Sequence, residues 1–205
     1  MKLDHLFPIP IVRITVDPTV VNNTVASVEQ YIESEKLLET ESPHRELLTT
    51  FYNHKDFLGK INNQELLKFI NSKAREFLNL RGFNPKCFLE ITSWLQLYPT
   101  GTHFNKHDHY GAMISGVLYL KAPVNCGNIR FYNPNIGRRA TDVFFERLKI
   151  NTNEYNYHYV EYTPIEGEMV MFESWLEHSV DMNLSTENRI AISFNIWGDD
   201  IDAQR

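Results

Sequence analysis

Apolar positions change their spacing along this chain, and the change divides it into two parts. From Phe7 to Asp17 the run Phe-Pro-Ile-Pro-Ile-Val-Arg-Ile-Thr-Val-Asp is β-branched and fenced by Pro8 and Pro10. A proline cannot donate to a hydrogen-bond ladder, so this run predicts an edge strand. Val25, Val28, Tyr31 and Ile32 then recur at helical intervals, which predicts a helix capped by Asn23 or Thr24 and ending near Leu38. A polar stretch containing Ser and Pro follows to position 60. After Asn62 and Asn63, the residues Leu66, Ile70, Ala74, Phe77 and Leu78 form a second apolar stripe, and Gly82 and Pro85 stop it.

Beyond Cys87 the pattern becomes strand-like. Runs near 87–98, 112–121, 128–132, 155–163, 168–173 and 189–197 are separated by Pro, Gly and Asn. Helices first and strands afterwards predict an α+β chain with helices packed outside a β-sandwich. The expected organisation is one domain over 1–205, with an edge strand and supporting helices in 1–86 and a β core in 87–198. The irregular segment 133–153, which contains Val143-Phe-Phe-Glu-Arg-Leu, reads as a loop or a short helix, and a loop of that length is equally a functional lid or a disordered connector.

Composition narrows the function. With 205 residues, 42% hydrophobic and 22% charged, the chain has the make-up of a soluble globular protein. Its net charge of -6 and pI near 5.7 argue against a protein that grips phosphate backbones. The one compact basic group, Arg138, Arg139, Arg147 and Lys149, is interrupted by Asp142 and Glu146 and reads as a solvated loop. Cys87 and Cys126 are too few for a disulfide framework and have no metal-ligand spacing. No secretory leader and no apolar run of roughly 18 residues is visible, so a cytoplasmic protein is expected, without a membrane partner. The acceptor patterns at Asn22 and Asn183 are then chance matches.

The candidate chemistry lies in Thr102-His-Phe-Asn-Lys-His-Asp-His-Tyr-Gly, where His107 and His109 flank Asp108. Alternate residues of an extended chain share a face, so both imidazoles can point at one ligand. His178 lies far downstream in Phe172-Glu-Ser-Trp-Leu-Glu-His-Ser, and Arg189 follows it at the start of another strand. A close pair, a distant histidine and an arginine point to a mononuclear iron site that also holds a dicarboxylate. Three facial ligands leave three octahedral positions, enough for a bidentate oxo acid and dioxygen. Asp108 is the rival ligand, but alternation turns it to the opposite face unless the backbone bulges. His103, near the turn, reads as a surface residue. On the last strand Arg189, Ala191, Ser193 and Asn195 share one face, and Ile190, Ile192, Phe194 and Ile196 share the core face.

Tyr98-Pro, His107, the strand Ser115-Gly-Val-Leu-Tyr-Leu120, Gly167-Glu-Met-Val-Met-Phe172, His178 and Arg189-Ile-Ala-Ile-Ser193 occur in an order that resembles the 2-oxoglutarate and Fe(II)-dependent oxygenases. The resemblance covers roughly residues 87–198 and is strongest to the prolyl-hydroxylase-like branch. Asn105 through Tyr119 also resembles a bacterial and phage subgroup with His-x-His followed by Ser-Gly-Val-Tyr-Tyr. It implies a double-stranded β-helix, the cupin-like jelly roll, and Fe(II), 2-oxoglutarate and O2 as cofactor and cosubstrates. It also implies oxidative decarboxylation of 2-oxoglutarate to succinate and CO2 with hydroxylation of a substrate C–H bond.

Metal ligation by His107, His109 and His178 would follow from this resemblance. Arg189 would take the far carboxylate of the oxo acid, Ser193 would add a hydroxyl, Asn195 would line the pocket, and Tyr98 and Tyr119 would offer phenols. Most of the superfamily has Asp or Glu where His109 stands. Three neutral imidazoles leave iron plus bound 2-oxoglutarate formally neutral instead of about -1, by addition of ionic charges, which also loosens metal selectivity. Two other readings compete: a three-histidine cupin-type dioxygenase that uses no 2-oxoglutarate, and a non-catalytic β-sandwich binding module. The substrate class stays open between small molecules and peptidyl side chains, with Tyr155, Tyr157 and Tyr159 as either a binding surface or a strand face. The proline-fenced first strand offers a weak hint of a homodimer.

Overall fold

The computed structural model describes residues 7–35, 47–53, 55–135 and 142–199. Strand β1 (Ile11–Thr15) leads directly into helix α1 (Pro18–Ser34). This helix begins earlier than the Asn23 or Thr24 cap predicted above, because Asp17 accepts from the Thr19 N–H and Pro18 supplies a preset first turn. Thr24 is instead buried within the helix, where its hydroxyl donates to the Val20 carbonyl and accepts from the Asn63 amide. Leu38, the expected end, lies outside the described residues; Glu35 closes the described helix.

The stretch read as polar carries two short elements that its composition hid. Strand β2 (Leu48–Thr49) pairs with β3 (Phe88–Tyr98), and the single turn α2 (Phe57–Lys60) drives Phe57 and Leu58 fully into the core. Helix α3 (Gln64–Leu80) follows the predicted stripe, with the Asn63 side chain accepting from Leu66 N–H as its cap. After β3 come β4 (Phe104–His107), β5 (Ile114–Lys121), β6 (Ile129–Tyr132), α4 (Asp142–Leu148), β7 (Tyr159–Tyr162), β8 (Glu168–Glu173), β9 (His178–Val180) and β10 (Arg189–Asp199). The described part of the 133–153 segment is therefore helical over α4. The strand expected from 155 starts only at Tyr159, since turns occupy the residues before it.

All strand ladders are antiparallel, and they form two sheets. The larger runs β1-β8-β5-β10-β3-β2 and the smaller β4-β9-β6-β7. β1 lies on an edge, as its prolines require. Period-two alternation gives the larger sheet two unlike faces. Ile114, Leu118, Met169, Met171, Ile192, Phe194 and Ile196 turn toward α1, α2 and α3, whose Val28, Leu58, Leu66, Ile70 and Phe77 complete that core. Val117, Tyr119, Val170, Phe172 and Ala191 turn the other way and meet Ile129 and Phe131 of the smaller sheet. Each fully buried aliphatic side chain contributes about 1.5–3 kcal/mol relative to exposure, so the helical side anchors a rigid platform for the opposite face. The strand β5 passes this platform closely at Gly116, where a Cβ would run into the Phe194 ring and the Val170 carbonyl oxygen. This is the jelly-roll sandwich, with the functional side chains between its sheets. Among the described residues no helix is long and apolar enough to cross a membrane.

Candidate active site

His107 ends β4 and His178 begins β9, and the two are register partners across the ladder. A bulge between Phe104 and His107 shifts that ladder, and bulges commonly re-aim side chains beside sites. Their ring centres lie 4.2 Å apart. His109 lies past the strand end, where its N–H donates to the Ser174 carbonyl at 2.9 Å and its carbonyl accepts from Ala112 N–H. That turn folds its ring against His178, nearly parallel, with centres 5.2 Å apart.

One donor atom from each of the three rings falls within 4.8 Å of the others, and His109 Nε2 and His178 Nε2 are 3.3 Å apart. Two imidazole nitrogens at right angles around a cation, each about 2.1 Å from it, would be about 3 Å apart. The spacing therefore fits a shared metal ion. Asp108 is exposed and outside the cluster, as is His103.

Backbone carbonyls orient two of the rings. His107 Nδ1 lies 2.8 Å from the Asn105 carbonyl and His178 Nδ1 2.9 Å from the Leu176 carbonyl. A carbonyl only accepts, so both rings carry their proton on Nδ1 and offer an Nε2 lone pair. Burial pushes the His178 pKa down to about 3, with His107 adding to the effect against the opposing Leu176 bond. Burial and then His107 push His109 down to about 4, and burial also lowers His107. At neutral pH all three are neutral, the form that binds metals.

Below the unfolded value of about 6.5 the unfolded chain takes a proton that the buried His178 refuses, so stability falls as pH drops. In the metal-free protein, the free energy of unfolding is expected to decline from pH 6.5 to 4.5 more steeply than in His178→Gln, by up to about 1.4 kcal/mol per pH unit. Urea melts across that range measure the difference, and equal slopes would contradict a neutral, buried imidazole.

Apolar rings pack against the cluster. Phe172 packs edge-on to His178 at 4.7 Å and Phe131 packs on Phe172 at 4.8 Å, while Trp94 stacks on His109 at 5.9 Å. Farther along the same cavity lies Arg189, at the first position of β10 opposite Tyr98. Its side chain is 2% exposed and its guanidinium carbon stands 3.8 Å over the Tyr98 ring. Nη1 donates to the Gly127 carbonyl at 3.0 Å, and the left-handed φ of +90° at Gly127 belongs to the tight turn that presents this carbonyl.

Arg189 Nε has no partner, and among the described residues it is the only buried side-chain polar atom without one. No ion pair among the described residues neutralises it. A buried, unpaired cation is costly, so the cavity calls for an anion. Burial raises the pKa of both Tyr98 and Tyr119 against the opposing pull of Arg189, and their phenols stay neutral donors. A guanidinium and two phenols thus face the same space as the three clustered imidazoles.

The remaining expected residues are nearby with partners of their own. Ser193 donates to Gln96 Oε1 at 2.7 Å, and Asn195 bonds His109 Nδ1 at 3.0 Å and Ser115 Oγ at 2.8 Å. Trp94, Gln96, Ser115 and Ser174 escaped the sequence reading. Alternation along β3 puts Trp94 and Gln96 on the Tyr98 face and could have found them; Ser174 acts through its carbonyl and hydroxyl, which no side-chain pattern reveals.

A family model described as "Putative 2OG-Fe(II) oxygenase" matches residues 92–195. Among curated proteins nothing matches the chain. Among solved structures, a prolyl-4-hydroxylase from Pseudomonas putida is similar at 15% identity and TM-score 0.58, over 93% of this chain and 89% of that one. The α-ketoglutarate-dependent carbocyclase SnoK from nogalamycin biosynthesis is similar at 16% identity and TM-score 0.60, over 92% of this chain and 79% of that one. HygX from Streptomyces hygroscopicus, with nickel and 2-oxoglutarate bound, is similar at 9% identity and TM-score 0.57, over 93% and 82%. At such identities the likeness concerns the fold.

Proposed function

This chain belongs to the 2OG-Fe(II) oxygenase family, and from that membership we propose that it hydroxylates a C–H bond of a small-molecule or peptidyl substrate while 2-oxoglutarate is converted to succinate and CO2. The observation that carries this reading is Arg189, a buried guanidinium with no counterion among the described residues, in a cavity shared with three neutral imidazoles. Iron bound there supplies the activation of O2 at the expense of the oxo acid. His107, His109 and His178 would hold it facially and leave the other positions open.

Arg189 would pair with the far carboxylate of 2-oxoglutarate, and its Nε would then gain the partner it lacks. Tyr98 and Tyr119 donate toward the same anion, while Ser193, held by Gln96, stands on the adjoining wall. The rings of Phe131, Phe172 and Trp94 exclude water from the reacting atoms. A three-histidine enzyme without 2-oxoglutarate would leave Arg189 uncompensated, which favours the oxo-acid reading. The prolyl hydroxylase and the carbocyclase among the similar structures make hydroxylation one of several C–H outcomes, and substrate-stimulated succinate release against metabolite and peptide pools tests it. Anaerobic addition of Fe(II) and then 2-oxoglutarate should produce a charge-transfer absorption, and its absence would overturn the proposal.

The ligand set has its own test. His109→Asp should retain near-stoichiometric iron, since a carboxylate can replace the imidazole, and Asp108→Ala should leave the metal content unchanged because Asp108 is exposed. Metal analysis of both purified proteins decides; loss of iron in Asp108→Ala alone would reassign the third ligand.

A further inference from the structure

The end of the cavity that holds Arg189 is built on the end of a ladder. Arg189 and Tyr98 are the last register pair between β10 and β3. Among the described residues neither has a further strand beside it at that level: the ladder of β10 with β5 shifts register between Ile190 and Ala191 and stops at Ile190, and β2 reaches only Leu97. Strand ends open easily unless something ties them down. The guanidinium nevertheless has to keep its place over the phenol ring.

Asn183 supplies the tie. It is fully buried, although in the sequence it matched only a sugar-acceptor pattern. Its Nδ2 donates to the Tyr98 carbonyl at 2.7 Å and to the Glu187 carbonyl at 2.9 Å, while its Oδ1 accepts from Ser185 N–H at 2.9 Å. Carbonyls only accept and a backbone N–H only donates, so these partners fix which end of the amide is which. One side chain thus joins the last residue of β3 to the chain that enters β10. Its backbone adds a second grip, donating to the Thr102 carbonyl at 2.8 Å and accepting from Gly101 N–H at 2.7 Å.

The neighbours of Asn183 seat the other partner of the guanidinium. Asp181 N–H donates to the Asn128 carbonyl and Leu184 N–H to the Asn125 carbonyl, both at 2.9 Å. Between these bonds the chain passes so close to Gly127 that a Cβ there would run into the Asp181 carbonyl. The Gly127 carbonyl, which accepts from Arg189 Nη1, therefore rests on the segment that Asn183 anchors. The side-chain bonds of Asn183 run to this end of the cavity and not to the histidine cluster.

We propose that Asn183 is a positioning residue for the oxo acid: by locking the Tyr98 carbonyl to the chain entering β10, it sets where Arg189 and Tyr98 meet the far carboxylate, and so selects a dicarboxylic over a monocarboxylic 2-oxo acid. The inference rests on the oxo-acid reading of Arg189. A brace of this kind acts on the far end of the ligand alone, whereas a residue that only stabilises the fold weakens every ligand alike.

Anaerobic titration of the Fe(II)-loaded protein, followed by its charge-transfer absorption, compares 2-oxoglutarate with 2-oxopentanoate, which has the same chain with a methyl group in place of the far carboxylate. Wild type should prefer 2-oxoglutarate by at least about 100-fold. In Asn183→Ala that preference should shrink by about 10-fold or more, the effect of losing one charge-assisted hydrogen bond, with iron content and 2-oxopentanoate affinity unchanged. Asn183→Asp keeps the volume and the Ser185 bond but loses both donations as a carboxylate, and should shrink it similarly. Thr24→Val removes an equally buried pair of side-chain bonds from the helical core and should leave the preference at its wild-type value. Full preference in both Asn183 variants, an equal loss in Thr24→Val, or failure of both Asn183 variants to fold would overturn the positioning role. A wild type with no preference for 2-oxoglutarate would instead bring down the oxo-acid reading itself.

Discussion

His178→Ala is expected to release no iron-dependent succinate above background, a loss of at least about 1000-fold, or about 4 kcal/mol of transition-state stabilisation. The argument begins with position: His178 is the most buried of the three rings, packed between Phe172 and the paired His107, with Nδ1 tied to Leu176. Alanine leaves two imidazoles, on a strand end and a turn, and no third metal-binding side chain joins them among the described residues, where Asp108 and His103 are exposed. Removing the ring also opens a cavity against Phe172 and costs some stability. Circular dichroism melts should nevertheless show a folded protein, since the helical core on the far side of the larger sheet is untouched. Succinate release assayed with added Fe(II) and 2-oxoglutarate measures the effect. Wild-type turnover in this variant would end the assignment.

Arg189→Met separates binding of the oxo acid from binding of the metal. Two charge-assisted hydrogen bonds are lost, which at about 1.5 kcal/mol or more each predicts at least a 100-fold rise in the 2-oxoglutarate concentration giving half-maximal rate. Iron content should stay near wild type because Arg189 is not part of the histidine cluster. The sign of the stability change is informative as well. Methionine keeps much of the volume over Tyr98 and removes a buried charge that has no counterion among the described residues, and replacing such charges by apolar groups is often neutral or stabilising. The protein without ligand should therefore melt no lower than wild type, despite the lost bond to Gly127. Unchanged dependence on 2-oxoglutarate would remove Arg189 from the proposal.

The site was legible where chemistry and periodicity coincide. His107 and His109 are close in sequence, and β10 displays Arg189, Ala191, Ser193 and Asn195 on the cavity face with Ile192, Phe194 and Ile196 on the helix face, as period two requires. Helix α3 was equally readable from its stripe. Strands β4 and β9 were not, because Phe-Asn-Lys-His and His-Ser-Val are too short to establish a period and owe their conformation to each other. Helix α2 was hidden for a similar reason: one turn carries no periodicity, and Phe57 and Leu58 reveal themselves only by burial. The early start of α1 was legible in Asp17-Pro18 but was masked by Asn23 and Thr24, which are also good capping residues. Partnerships between side chains distant in sequence, such as Ser193 with Gln96 or Asn195 with His109, follow from strand register and not from local pattern.

The bulged junction of β4 and β9 has a mechanical consequence. Among the described residues β4 has a ladder neighbour on one side only, and that ladder aligns at just two register points, Phe104 with Val180 and His107 with His178. On the proposed ligand set, an ion held by both imidazoles would rivet these two strands together at that point, so that loading the centre and stiffening the edge of the smaller sheet would be the same event.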